Sequence, residues 1–191
     1  MIRKLHPTQI TVGIIEVADK CIELASLKPH ERREFLSRHP IPAVLGPEEK
    51  LYITDHHHLA RAAWDEGIET GFFIVEADFS KLDAAEFWRE MTSNRWVHPI
   101  DGSGKKRPID ELPRHLDGLS DDIYRSLAGY VRNAGGYDKT PTAFAEFMWA
   151  DFFRKRIVIG RTRADFERAV QQAYALARSP AARKLPGHRG S

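Results

Sequence analysis

Residues 51–67 read LYITDHHHLARAAWDEG, and the hydrophobic pattern changes at Asp55. Leu51 to Thr54 form a short apolar, β-prone run, whereas the apolar residues after Asp55 recur at helical spacing until Gly67. The stretch therefore predicts a strand, a tight turn and a helix. Such a junction presents backbone N–H groups at the positive end of a helix dipole, an arrangement that binds anions.

Three histidines follow Asp55, which we expect to cap the helix. Successive helical residues point about 100° apart, so at most two of His56, His57 and His58 can face one ligand. Either His57 or His58 can share a helix face with Arg61 and meet a phosphate jointly with it. Histidine exchanges protons near neutral pH, and arginine holds phosphate oxygens in a bidentate fork. The structural alternative is that these side chains serve only the fold.

A metal site is a second possibility at the turn. Asp55 and one or two histidines could ligate a divalent ion, with Glu16 or Asp101 completing the shell. The spacing is not that of any specific metal motif, so the metal stays unknown.

The run Gly102–Lys106 lacks the spacing of a phosphate-binding loop, and we expect a flexible turn there.

The rest of the chain predicts an α+β protein. We expect strands at 8–17 (broken at Gly13), 41–45, 51–54 and 70–76, and helices in 19–38 (two, split at Pro29), 55–67, 84–91, 120–133, 142–156 and 162–178. The expected caps of the last three helices are Ser120-Asp121-Asp122, Thr142 and Thr162. Pro42 restricts the second strand to a strand start or a sheet edge. The predicted organisation is a mixed-sheet core over 1–110, followed by a helical region over 111–191 that packs on it.

Composition limits the class of protein. The chain has 191 residues, 42% of them hydrophobic, and a net charge of +2, which excludes a disordered or polybasic chain. A single cysteine fits a reducing compartment, and the absence of a long apolar run predicts a soluble, cytoplasmic protein without membrane contact. Residues 152–191, however, carry ten Lys and Arg against two acids, which suits a nucleic-acid partner or a solvated helix face.

A second cluster lies at residues 135–154, where two glycines precede an aromatic helix. Its Phe144, Phe147, Met148 and Phe152 recur at helical spacing, which is typical of a core stripe. Glu146 interrupts that stripe, so its carboxylate must reach solvent or pair with a cation, for which Lys139 and Arg154 are the candidates. If this helix packs over the histidines, Glu146 and Lys139 support the site.

Several motifs, in order along nearly the whole chain, resemble the ParB-like nucleases, a branch of the ParB/sulfiredoxin superfamily. They are His6-Pro7-Thr8-Gln9 with Val12-Gly13 and Val17…Lys20, Asp55-His56-His57-His58-Leu59-Ala60, Phe87-Trp88…Met91, Gly136-Tyr137…Lys139, Phe144…Glu146-Phe147…Trp149-Ala150, and Leu176-Ala177-Arg178-Ser179-Pro180…Leu185-Pro186-Gly187.

The resemblance implies a ParB/sulfiredoxin-like core whose strand-to-helix turn binds nucleotide or nucleic-acid phosphate. Members of the superfamily include nucleotide-hydrolysing partition proteins, a free-serine kinase and ATP-using sulfiredoxins. The turn lacks the cysteine of sulfiredoxins and the Gly-Glu-Arg-Arg-like run of partition proteins, and no helix-turn-helix pattern is evident. Its Asp-His-His-His sequence is closer in character to the Asp-Gly-His-His-Arg-like turn of the serine kinase, so phosphoryl transfer stays open.

Three functions follow. The first is a ParB-like nuclease or phosphoryl-transfer enzyme, with catalytic residues Asp55, His56, His57, His58 and Glu146 and phosphate-binding residues Gln9, Lys20, Thr54, Arg61 and Lys139. Its cofactors would be Mg²⁺ or Mn²⁺ and a nucleoside triphosphate. The alternative is a non-catalytic nucleic-acid-binding module that uses the basic C-terminal region. The third is a metal-dependent phosphoesterase of the Asp-His-His class, which needs earlier aspartate ligands that the first 50 residues, with Asp19 alone, do not supply.

Overall fold

A computed structural model describes residues 1–190 of the chain. It divides into two compact units, Met1–Asp121 and a second that begins at Asp122. The first contains β1 (Leu5–Pro7), β2 (Thr11–Val12), α1 (Ile14–Ser26), α2 (Pro29–Arg38), β3 (Ile41–Leu45), β4 (Leu51–Ile53), α3 (His57–Asp65), β5 (Phe73–Asp78), α4 (Ala84–Ser93) and β6 (Ser120–Asp121). The second contains α5 (Ile123–Asn133), α6 (Ala145–Arg154) and α7 (Arg163–Ala177).

The main sheet of the first unit is mixed, with strand order β1-β4-β3-β5. β1 is parallel to β4, β3 is antiparallel to β4, and β3 is parallel to β5. A separate parallel pair joins β2 to β6. The predicted α+β class, a mixed-sheet core followed by helices, is confirmed. The packing of the helical region on the core stays a prediction.

Side chains alternate across β1 and β4, so the sheet buries two different faces. One face belongs to a core that includes Leu5, Ile53, Val17 and Leu59 from β1, β4, α1 and α3. On the other face, Tyr52 packs against a smaller cluster that includes Phe87, from α4. The strand-to-helix turn therefore extends from a strand that is anchored on both sides.

The N-terminal prediction is wrong in part, because residues 8–17 do not form one strand. The chain makes the short strands β1 and β2 and then enters α1 at Ile14, with Gly13 as an extended N-cap. Asp121 accepts a hydrogen bond from the Ile14 N–H at 2.9 Å. The helix buries Val17 and Leu24, and this burial outweighs the strand preference of its β-branched residues.

β3 lies inside the sheet, between β4 and β5, although it contains Pro42. The Pro42 carbonyl accepts a hydrogen bond from the Thr54 N–H at 3.0 Å, beyond the last β3–β4 pair, Ala43 with Ile53. The N–H that proline lacks would have pointed to the same side, towards the Thr54 carbonyl, so the proline removes one bond where the β3–β4 ladder ends and leaves the pairs from Ala43 onward intact. The proline stands near the strand start, as predicted.

The predicted helices of the second unit are present, and two of them begin at the expected caps. Asp122 accepts from the Tyr124 N–H, and Thr162 forms a capping box with Asp165. The third, α6, begins three residues later than predicted, after Phe144, whose φ is 59°. Within α6 the buried aromatic side chains are Trp149, Phe152 and Phe153. Of the predicted core stripe, Phe152 is buried and Phe144 and Phe147 are half-buried, whereas Met148 is exposed, so its prediction as a core residue is wrong.

Among residues 1–190, no helix is long and apolar enough to cross a membrane.

Candidate functional site

The turn between β4 and α3 holds the Asp55–His58 cluster. His56, not Asp55, is the N-cap of α3, because its φ of 60° places it in the left-handed region. The predicted N-cap position of Asp55 is therefore wrong, but its exposed carboxylate does accept a hydrogen bond from the next N–H, that of His56, at 2.7 Å. No side chain caps the start of α3 and its first turn contains no acidic residue, although the Asp55 carboxylate lies beside the N-cap.

His57 is buried and ties the turn to β1. Its Nε2 accepts a hydrogen bond from the Thr8 N–H at 3.2 Å. The Thr8 hydroxyl lies 3.4 Å from the same nitrogen, but it donates its proton to the Ile53 carbonyl at 2.7 Å. Nε2 is therefore an acceptor, and a neutral His57 carries its proton on Nδ1. These contacts give His57 a positioning role.

His58 lies between two partners at the start of α1. Its Nε2 accepts a hydrogen bond from the Gly13 N–H at 2.9 Å and lies 3.4 Å from Glu16 Oε2. A neutral ring with its lone pair on Nε2 pairs with Gly13, whereas a protonated ring pairs with Glu16. Both side chains are largely buried, so these contacts hold the His58 ring against the start of α1.

The Arg61 side chain binds groups of the protein itself rather than lying free at an anion site. Its Nε lies 2.9 Å from both carboxylate oxygens of Asp65, and its Nη1 donates to the carbonyls of Leu116, Asp117 and Leu119 at 3.0–3.3 Å. Because the guanidinium holds segment 116–119, it would have to release these bonds to grip a phosphate as predicted.

The other predicted phosphate ligands of the first unit lie on three segments. Thr54 is in the turn and donates its hydroxyl to Glu76 Oε2 at 2.5 Å. Gln9 is buried and forms an isolated parallel bridge with His98. Lys20 is half-buried on α1. Their contact with phosphate stays a prediction.

Glu146 and Lys139 lie in the second unit. Glu146 pairs with Arg132 and with Arg125, the latter at 2.9 Å. The predicted pairing with Lys139 or Arg154 is therefore wrong, since Lys139 is exposed and Arg154 pairs with the carboxylates of Asp122 and Asp151. The Arg125 guanidinium is buried and lies 4.4 Å from the centre of the Phe147 ring. The roles of Glu146 in catalysis and Lys139 in phosphate binding stay predictions.

The carboxylate of Asp101 closes the loop at Gly102–Lys106. Asp101 Oδ1 accepts hydrogen bonds from the Ser103 N–H, the Ser103 hydroxyl and the Lys105 N–H, and Oδ2 accepts from Arg107. The Ser103 hydroxyl, followed by the Lys105 N–H, holds the pKa of Asp101 well below its usual range. The donors that a phosphate loop would offer are already occupied by Asp101.

Metal ligation was left open by the sequence. Among residues 1–190, no group of three or more His, Cys, Asp and Glu side chains is arranged to hold an ion.

Sequence reasoning missed two features of the first unit. One is Thr8, whose backbone N–H positions His57 from 49 residues away. The other is a cleft of about 420 Å³ on the α4 side of the sheet, lined by His6 and Tyr52 among others. The register of β1 and β4 brings these two rings together, and alternation along each strand was the signal that could have indicated it.

Comparison with known proteins assigns a family to this arrangement. A search of curated proteins found no match. Among solved structures, the chain is similar to the crystal structure of protein Atu1540 from Agrobacterium tumefaciens, with 42% sequence identity and a TM-score of 0.90 over 100% of this chain and 94% of that one. The family model described as "Putative ParB-like nuclease" matches residues 1–155, which include β1, the histidine turn, α5 and α6. The chain therefore belongs to the ParB-like nuclease family.

Proposed function

We propose that this protein binds the phosphate of a nucleotide or nucleic acid at the Thr54–His58 turn and acts there as a nuclease or a phosphoryl-transfer enzyme. The observation that carries the proposal is the start of α3, which has no side-chain cap and is surrounded by Asp55 and three histidines. An uncapped helix start attracts an anion through its N–H groups and its dipole. Membership of the ParB-like nuclease family is consistent with this chemistry.

The four side chains of the cluster divide between two roles. His57 and His58 each accept a backbone N–H at Nε2, so they hold the turn in shape. Asp55 is exposed, and the His56 ring makes no hydrogen bond with residues 1–190. We therefore assign acid–base catalysis to His56, with Asp55 beside it, and anion binding to the backbone of α3.

In hydrolysis or transfer, an oxygen nucleophile attacks the phosphorus and the bond to the leaving oxygen breaks. The nucleophile loses a proton and the leaving oxygen gains one, so one group must exchange protons near neutral pH. His56 supplies that group, and the helix start stabilises the negative charge on the phosphoryl oxygens.

The test uses a variant that removes the imidazole and keeps the backbone. Glycine adopts a positive φ without strain, so His56→Gly preserves the turn. Calorimetric titration with ATP, CTP and a short oligonucleotide, each with and without Mg²⁺ or Mn²⁺, measures binding, and phosphate or nucleotide release measures turnover. The matched control is His30→Ala, which removes an exposed histidine of α2.

We expect the wild type and His30→Ala to bind and turn over equally, and His56→Gly to lose at least tenfold in turnover. If no nucleotide or oligonucleotide binds, or if His56→Gly retains full turnover, the proposal fails.

A second candidate is a non-catalytic nucleic-acid-binding module. It is favoured by the segment between α6 and α7, where Lys155, Arg156 and Arg161 are exposed and make no ion pair within residues 1–190. Phosphate contacts of this kind release counterions, so the association constant falls as the salt concentration rises. For each contact, log K falls by about 0.7–0.9 for every tenfold increase in salt concentration. Oligonucleotide binding that weakens with salt in this way, is unchanged in His56→Gly and is lost in Lys155→Ala/Arg161→Ala would favour this candidate over the enzyme.

A further inference from the structure

The cleft of about 420 Å³ lies on the sheet face opposite the core that contains Ile53. Its volume is within the range of small-molecule sites. The side chains that matter for its chemistry are His6, Lys50, Tyr52, Trp88, Asp110 and Arg114. None of them belongs to the histidine turn.

Aromatic rings line the cleft. His6 and Tyr52 are register partners on β1 and β4, and their ring centres lie 5.1 Å apart with an interplanar angle of 31°. Trp88 on α4 meets Tyr52 edge-on, with ring centres 5.5 Å apart. Two adjacent rings on a sheet, bordered by an indole, offer a surface on which a planar ring can stack.

The polar groups of the cleft are mainly donors without protein acceptors. The Tyr52 hydroxyl and the Trp88 indole N–H make no hydrogen bond with residues 1–190, and although both side chains are half-buried, these two atoms are open to solvent and to a ligand. Burial, followed by the nearby Lys50 and His115, lowers the pKa of His6, whose ring is also hydrogen-bonded to the Arg114 backbone. A ligand that brings acceptor atoms would satisfy these donors.

The charge of the cleft is positive. Lys50 and Arg114 contribute two cations, and Asp110 is the single acidic side chain in the lining. Lys50 contacts Glu48 at 2.7 Å, but that glutamate is largely exposed, so the pair is weak and a ligand anion can replace it. The Arg114 side chain has no acidic partner within residues 1–190.

We propose that this cleft binds a nucleobase together with its phosphate, the base stacking on His6 and Tyr52 and the phosphate contacting Lys50 and Arg114. The same chemistry is available from a free mononucleotide and from an unpaired nucleotide of a single strand. Stacking on aromatic side chains contributes about 1–3 kcal/mol per base, and arginine adds a bidentate contact to phosphate. The site is separate from the turn and does not depend on the proposed catalysis.

The experiment titrates the full chain with AMP, adenosine, inorganic phosphate and a short single-stranded oligonucleotide, following tryptophan fluorescence and the NMR signals of the His6 ring. Arg114→Gln removes the charge of an exposed side chain, and Trp88→Phe removes the indole N–H but keeps an aromatic ring against the buried Phe87. Arg89→Gln, an exposed change on α4 outside the cleft lining, is the matched control.

We expect AMP to bind more tightly than adenosine or phosphate alone, with at least a tenfold loss in Arg114→Gln and no change in Arg89→Gln. Tighter binding of AMP than of the oligonucleotide supports a free mononucleotide, and the reverse supports a strand. Arg114 lines the cleft and lies outside the turn, so loss of AMP binding in Arg114→Gln separates the cleft from the turn. Absence of binding, or binding that Arg114→Gln and Trp88→Phe both leave unchanged, overturns the proposal.

Discussion

Replacing His57 tests whether this side chain supports the fold or contacts a ligand. His57→Ala leaves the buried Thr8 N–H without its acceptor, which costs about 1–3 kcal/mol. Loss of the buried ring adds a packing cost, so we expect the free energy of unfolding to fall by about 2–4 kcal/mol. With a urea m-value of about 2 kcal/mol/M, the midpoint falls by about 1–2 M. Urea titration followed by far-UV circular dichroism measures this shift.

Two variants accompany this measurement. His57→Gln keeps a side-chain acceptor for Thr8 and should recover part of the lost stability, and His30→Ala should lie within about 0.5 kcal/mol of wild type. If His57→Ala changes stability by less than about 0.5 kcal/mol and abolishes nucleotide binding, the positioning role is refuted and His57 is a direct ligand.

Three further changes test other contacts. Glu146→Gln removes the negative charge that pairs with the buried Arg125, so the free energy of unfolding should fall by about 2–4 kcal/mol in the same assay, and a change below about 0.5 kcal/mol would contradict the pairing. Arg61→Met releases segment 116–119, so hydrogen exchange there should accelerate while phosphate binding persists; loss of binding would identify Arg61 as a ligand. Burial raises the pKa of the Cys21 thiol to about 11, so alkylation should be slow at pH 8 and accelerate towards pH 11, where the reactive thiolate forms; rapid labelling at pH 8 would refute this.

The sequence predicted the elements whose signals are local. The change from an apolar run to helical spacing at Asp55 indicated β4 and α3, and Thr162 and Asp122 indicated the starts of two helices. The prediction of one strand over 8–17 was wrong, because Ile14 and its neighbours favour a strand locally but lie in α1. What turns them into a helix is burial against the core, together with Asp121, a cap 107 residues away.

Contacts between distant residues also limit how much of the candidate site can be predicted from the sequence. The sequence located the turn and its four candidate side chains, but it could not show which histidine nitrogens are occupied. The Thr8 and Gly13 N–H groups that occupy them lie 49 and 45 residues from their partners. Likewise, Glu146 could be predicted to pair, but its arginines lie on α5, and only the packing of two helices selects them over Lys139 and Arg154.

The bonds that hold the turn also determine when it can form. His57, His58 and Ile14 are each fixed by a partner 45 or more residues away. Contacts of such large sequence separation must close long loops, whose entropic cost is met before the contacts add stability. During synthesis, helices α1 and α2 can therefore appear early. The turn can be anchored once His57 and His58 have been added, and the start of α1 is fixed only after Asp121 has been added. A fragment that ends before Asp121 would keep the histidines and lose the contact that fixes the first residue of α1.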